Sequence, residues 1–172
     1  DLADDDPSPF LEAYRAYDAA YKEGRFDEAA GFAAEALELG RAELGADHEK
    51  TGVLAINLGH VLTILGRFQE AEAPIAEARD IMSAIGGPNH PSLLTVYQDL
   101  VLVNAGQGRL NQDREAFDRA FGVIRRHDGA SDPKAVGLLV DRASFEARVG
   151  QWDRALGYLD EAAALAAEVF GD

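Results

Sequence analysis

Apolar residues recur along the chain at helical, not strand, spacing. Leu54, Leu58, Val61, Leu62 and Leu65 follow the i, i+3, i+4, i+7 rhythm of an amphipathic helix. Phe26, Ala29, Ala30, Ala33, Ala36, Leu37 and Gly40 do the same one segment earlier. Alanine is abundant and β-branched runs are short, which agrees with helix propensity. The rhythm predicts eight helices, over 9–23, 26–43, 51–65, 68–85, 92–107, 110–127, 134–149 and 152–170.

The helices come in pairs because the sequence repeats. Gly24-Arg25-Phe26-Asp27-Glu28-Ala29 returns as Gly66-Arg67-Phe68-Gln69-Glu70-Ala71, then as Gly108-Arg109-Leu110 and as Gly150-Gln151-Trp152. Each step is 42 residues, and Gly45, Gly87, Gly129 and Gly171 keep the same interval. So do Ala36, Ala78, Ala120 and Ala162. The first glycine column is expected to end the first helix of each pair in a left-handed conformation, and the second column to end the second helix in the same manner. The alanine column predicts close helix crossings, where a larger side chain overpacks. Phe26, Phe68, Leu110 and Trp152 form a bulky column expected to wedge between the two helices of one pair. Pro91 and Pro133 suit first helical positions, and Pro74 predicts a mild kink. One helical hairpin cannot hide its apolar face, so stability is expected from stacking of neighbours.

These residues resemble tetratricopeptide repeats. The resemblance rests on Asn57-Leu58-Gly59, Leu62, Gly66-Arg67-Phe68, Glu70-Ala71-Glu72 and Ala78. The 42-residue period and the link from Gly87 to His90-Pro91 resemble the longer subtype found in kinesin light chains and many bacterial proteins. The pattern departs from the family at Asp113, Arg142 and Glu146, where Ala or apolar residues are preferred. The resemblance implies an all-α, right-handed α-solenoid of four helix-turn-helix repeats, about 9–50, 51–92, 93–134 and 135–172, while the acidic run at the start predicts a flexible leader at 1–8. It also implies a concave groove, lined by the first helix of each repeat, that binds an extended peptide or partner protein.

Carried onto this chain, the groove positions are Leu11, Tyr14, Arg15, Asp18, Tyr21 and Lys22 in the first repeat. The second offers Val53, Ile56, Asn57, His60, Thr63 and Ile64. Thr95, Gln98, Asp99, Leu102 and Ala105 follow in the third, and Val140, Asp141, Ser144 and Arg148 in the fourth. Asn57 stands out, because an amide both donates to and accepts from a peptide backbone. Asp18, Asp99 and Asp141 stand where the family's carboxylate clamp needs Lys or Arg, so that clamp is not expected. The groove instead suits an apolar stretch beside a basic residue.

Charge narrows the partners. The net charge is −15 with a pI near 4.5, which argues against nucleic acid and anionic lipid. No apolar run is long enough to span a bilayer. Cysteine is absent, which excludes disulfides and thiolate chemistry. The first residue is Asp1, not Met, so an upstream segment is expected to have been cleaved or to be absent from this sequence; the location is open between periplasmic or otherwise extracytoplasmic after signal cleavage and cytoplasmic. Alanine richness fits a GC-rich bacterium.

No catalytic constellation is visible. His48, His60, His90 and His127 include no pair at metal-ligating helix spacing, and His48 and His90 share one column of the interrepeat link. Gly106-Gln107-Gly108 lacks both the preceding strand and the third glycine of a phosphate loop. The expectation is a non-catalytic adaptor without metal or cofactor. The alternative is a structural or oligomerising region of a larger envelope or regulatory protein. No polar capping helix follows the last repeat, so the C-terminal end is expected to continue or to pair with another copy.

Overall fold

The computed structural model describes residues 8–127 and 133–171. Residues 1–7 of the expected leader, Gly129 and the link at 130–132 lie outside the described residues, as do the side chains of Leu110, Asp113 and His127. Among the described residues there are eight helices and no strand. They are α1 (Pro9–Lys22), α2 (Phe26–Leu44), α3 (Glu49–Ile64), α4 (Phe68–Gly86), α5 (Leu93–Gly106), α6 (Leu110–His127), α7 (Pro133–Arg148) and α8 (Trp152–Phe170). Consecutive helices pair as hairpins, and each hairpin stacks on the next in a right-handed α-solenoid.

The turn inside each hairpin is the same hydrogen-bonded motif four times. In the first, the Arg25 N–H donates to the Ala20 carbonyl at 2.9 Å and the Gly24 N–H to the Tyr21 carbonyl at 3.0 Å. Arg67, Arg109 and Gln151 repeat the longer bond to Leu62, Asn104 and Glu146. The closing residue must take positive φ, and Gly24, Gly66, Gly108 and Gly150 lie between 69° and 77°. The second glycine column differs from the expectation. Gly45, Gly87 and Gly171 combine positive φ with ψ of 155°, −176° and 166°, an extended mirror region open essentially to glycine alone. Each still closes the last helical turn, its N–H donating to the carbonyl four residues back, of Arg41, Ser83 and Ala167.

In the links two histidines accept a bond from the backbone N–H two residues on. His48 Nδ1 accepts from the Lys50 N–H at 3.1 Å, which starts α3 two residues before the expected position. His90 Nδ1 accepts from the Ser92 N–H at 3.3 Å, and the Leu93 N–H donates to the His90 carbonyl. That tight turn leaves Pro91 before α5 and not at its first position, whereas Pro133 does open α7.

Alanine sets the spacing of the core. Ala36, Ala78, Ala120 and Ala162 are all buried. A Cβ at Gly40 would come within 2.5 Å of Leu54 Cδ1, and one at Gly59 within 2.6 Å of Ile75 Cγ1. The bulky column does not wedge within its own hairpin throughout. The Phe68 ring packs on Gly106 of the following repeat, and Phe26 meets Tyr21 edge-on at 5.5 Å. Trp152 is 65% exposed, and among the described residues no helix covers it as α5 covers Phe68.

Candidate interaction groove

The first helices α1, α3 and α5 lie side by side, and a chain of hydrogen bonds crosses all three. Tyr21 Oη lies 3.1 Å from His60 Nε2, and His60 Nδ1 lies 2.9 Å from Asp99 Oδ1. The partners are 39 residues apart at each step, three fewer than the repeat. Equivalent residues of neighbouring repeats therefore do not meet; each helix contacts the next almost one turn back. Behind Tyr21 the rings of Tyr17 and Tyr14 continue the row, at centroid distances of 5.7 and 6.0 Å.

Electrostatics tightens this row. The hydrogen bond to Asp99 raises the His60 imidazole above its ordinary value, against the opposing effect of burial. Burial pushes the Asp99 carboxyl up, and the His60 ring pulls it partly back. Burial also raises the Tyr17 phenol, so it stays protonated. With Asp99 ionised, His60 Nδ1 is the donor on that side, and Nε2 either accepts from the Tyr21 hydroxyl or, when protonated, donates to it.

The expected groove residues separate into those that hold the row and those that face outward. Tyr21, His60 and Asp99 belong to the row. Asp99 is buried against His60 and does not present its charge as the sequence reading expected, because the imidazole already occupies it. Asp18 is held by Lys22 at 2.6 Å on its own helix. Leu11 and Thr63 are buried, Thr63 through a hydroxyl bond to the Gly59 carbonyl at 2.8 Å. Tyr14, Ile56 and Asn57 are half-buried, while Arg15, Gln98 and Asp141 are exposed. Partial desolvation nudges the Asp141 carboxyl upward.

Beside the row stand apolar residues open to solvent. Ile64, Leu102 and Val140 are 42%, 54% and 42% exposed, and they recur at 38-residue intervals on α3, α5 and α7. That interval is within one residue of the contact register set by Tyr21, His60 and Asp99. Aliphatic groups aligned in this way on successive inner helices form a surface suited to another chain. The sequence reading named all three as groove positions but missed the hydrogen-bonded row beside them. A search for polar residues offset by 39 would have found it.

No curated protein matches the chain. Similar folds are found among solved structures. BtubC (BKLC) from P. vanneervenii shares 20% identity at a TM-score of 0.83, covering 99% of this chain and 69% of that one. A Podosopora anserina protein named after kinesin light chain, with nearly identical TPR-like repeats, is similar in two crystal structures. The first has 17% identity and a TM-score of 0.80 over 97% of this chain and 79% of that one. The second has 18% identity and a TM-score of 0.76 over 95% and 77%. The tetratricopeptide repeat model matches residues 13–82 and 53–126, and with four glycine-closed hairpins on a 42-residue period the chain belongs to the tetratricopeptide repeat family.

Proposed function

We propose that the chain is an adaptor that holds an extended segment of a partner protein across α1, α3, α5 and α7. The family is generally a protein-interaction fold, which sets the class. The observation that carries the finer reading is the exposed apolar series Ile64, Leu102 and Val140 beside half-buried Asn57. Aliphatic side chains of a partner would lie on that series while Asn57 and Gln98 exchange hydrogen bonds with its backbone. Asp141 is the carboxylate best placed to meet a basic residue of the partner, since Asp18 and Asp99 are already engaged. A peptide array pairing aliphatic stretches with Lys or Arg tests this. Binding lost in Leu102→Asp supports the groove, and binding unchanged in both Leu102→Asp and Ile64→Asp overturns it.

A second reading has its own observation. Trp152, Leu156, Leu159 and Phe170 are exposed on α8, an apolar face that suits self-association or a structural role in a larger assembly. Sedimentation of the wild type beside Trp152→Ser/Leu156→Ser tests it. A monomer at every concentration in both would leave α8 without that role.

A further inference from the structure

The three joints between repeats can be compared position by position on the 42-residue period. In the first joint Leu37 is buried, and Arg41 on α2 donates through Nε to Glu77 on α4 at 2.9 Å, with a second bond through Nη2. In the third joint the same columns hold Phe121, Arg125 and Glu161. The second joint breaks the pattern, with Arg79, Ser83 and Arg119 in those columns. Leu has become Arg, the arginine has become Ser, and the glutamate has become Arg.

That joint holds a cavity of about 590 Å³ between α4, α5 and α6, larger than the two of about 250 and 360 Å³ that Phe121, Arg125 and Glu161 line in the third joint. Its apolar wall includes Leu100, Val103 and Ala116, with the buried Asn104 amide and Tyr97 beside them. Tyr97, Leu100 and Asn104 lie on the side of α5 away from Gln98 and Leu102, so the cavity is separate from the groove. Three guanidinium groups line it, from Arg79, Arg109 and Arg119. Arg109 is held 2.7 Å from Glu72. Arg79 leans on its neighbour Asp80 at 2.9 Å, and Arg119 reaches Glu115 at 3.6 Å. Both of these last pairs are exposed and of little energetic worth, so an anion can replace them.

We propose that this cavity binds a small organic anion, a carboxylate or phosphate ester on a compact apolar body. Arg79 and Arg119 take the head group in the bidentate geometry that guanidinium offers such oxyanions, and Leu100, Val103 and Ala116 receive the body. The volume lies within the ordinary range for small-molecule sites. The lining sets these three guanidinium groups against the carboxylates of Glu72 and Glu115, a positive balance on a chain whose net charge of −15 otherwise disfavours anions.

Calorimetry and amide NMR with benzoate, phenyl phosphate and neutral benzamide test the proposal. Saturable binding of at least one anion, shifts at Ser83 and Asn104, and no binding of benzamide are expected. Preference for phenyl phosphate or for benzoate assigns the head group as phosphoryl or carboxylate. Ser83→Arg/Arg119→Glu rebuilds the ion pair of the first joint and should weaken binding at least about tenfold, roughly 1.4 kcal/mol, without lowering Tm. Arg79→Leu restores the apolar residue of that joint and should do the same by an independent route. Absence of saturable anion binding overturns the proposal, as does equal binding of benzamide or wild-type affinity in folded closure variants. Binding of a short acidic peptide where neither small anion binds would assign the cavity to a protein segment and overturn it equally.

Discussion

The first and last pairs of repeats share one frame but hold it together by different chemistry. From α1 to α4 the buried packing is made of small residues, with Ala29, Ala36, Ala55, Ala71 and Ala78 buried and the backbone of Gly40 and Gly59 against Leu54 and Ile75, and the Arg41–Glu77 ion pair lies at the half-exposed edge of the joint. Between α6 and α7 the joint holds a fully buried carboxylate. Glu146 accepts two bonds from Arg114, at 3.1 and 3.0 Å, and lies 3.4 Å from the buried Arg142 Nε. Arg142 is also stacked between the rings of Phe117 and Tyr158, at 4.9 and 5.2 Å. The turns are identical in both halves, so the period fixes where helices start and stop, while the contents of each joint are free to vary.

That contrast can be broken at its ionic end with the largest effect. Glu146→Ala leaves two guanidinium groups facing an emptied, buried site, and should destabilise by about 3–5 kcal/mol in urea unfolding. Arg142→Leu with Glu146→Leu should recover part of that loss, because a packed apolar pair serves as well as a buried ion pair. Failure of the double variant to improve on Glu146→Ala would mean that the charge has a role beyond filling the joint.

At the alanine end, Ala78→Leu should cost about 1–3 kcal/mol by overpacking, and Ala78→Gly about 1 kcal/mol or less. The equivalent change Ala162→Leu should cost less than Ala78→Leu, since α8 has neighbours on fewer sides. Equal penalties at the two positions would remove the distinction between the halves.

Much of this was legible in the sequence because glycine conformation and helical periodicity are local. All eight helix bounds fall within two residues of those expected, and both glycine columns turn at positive φ wherever they are described. What escaped was contact between repeats. Columns align residues 42 apart, but neighbouring inner helices touch at 39, so Tyr21, His60 and Asp99 never shared a column. Arg142 and Glu146 read singly as departures, and only their closeness to each other and to Arg114 shows that the buried carboxylate is neutralised by guanidinium groups. Trp152 misled because a column predicts a side chain but not the neighbour that covers it.

A smaller effect sharpens the comparison through pH. His60→Gln should lose about 0.5–1.5 kcal/mol of coupling between the first three repeats. The His60 pKa is raised above 6.5, so the stability from its charged form is full below that value and fades as pH rises through the folded pKa. The Asp99 pKa is raised above 3.8 by burial, so the pair also weakens as acid protonates the carboxyl. The difference in Tm between wild type and His60→Gln should therefore peak in mildly acid solution between those limits. A flat difference across pH would show that the hydrogen bonds matter and the charge does not.

Residue-resolved hydrogen exchange under native conditions tests most directly whether the two halves differ in how they are held. The amides of α3, packed against α2, α4 and α5 and tied to α1 through Tyr21 and His60, should be the slowest to exchange, with those of α7 and α8 released by smaller openings. Adding the Glu146→Ala substitution should accelerate α7 and α8 and leave α3 unchanged. Uniform protection across all eight helices, or acceleration of α3 by that substitution, would contradict the account.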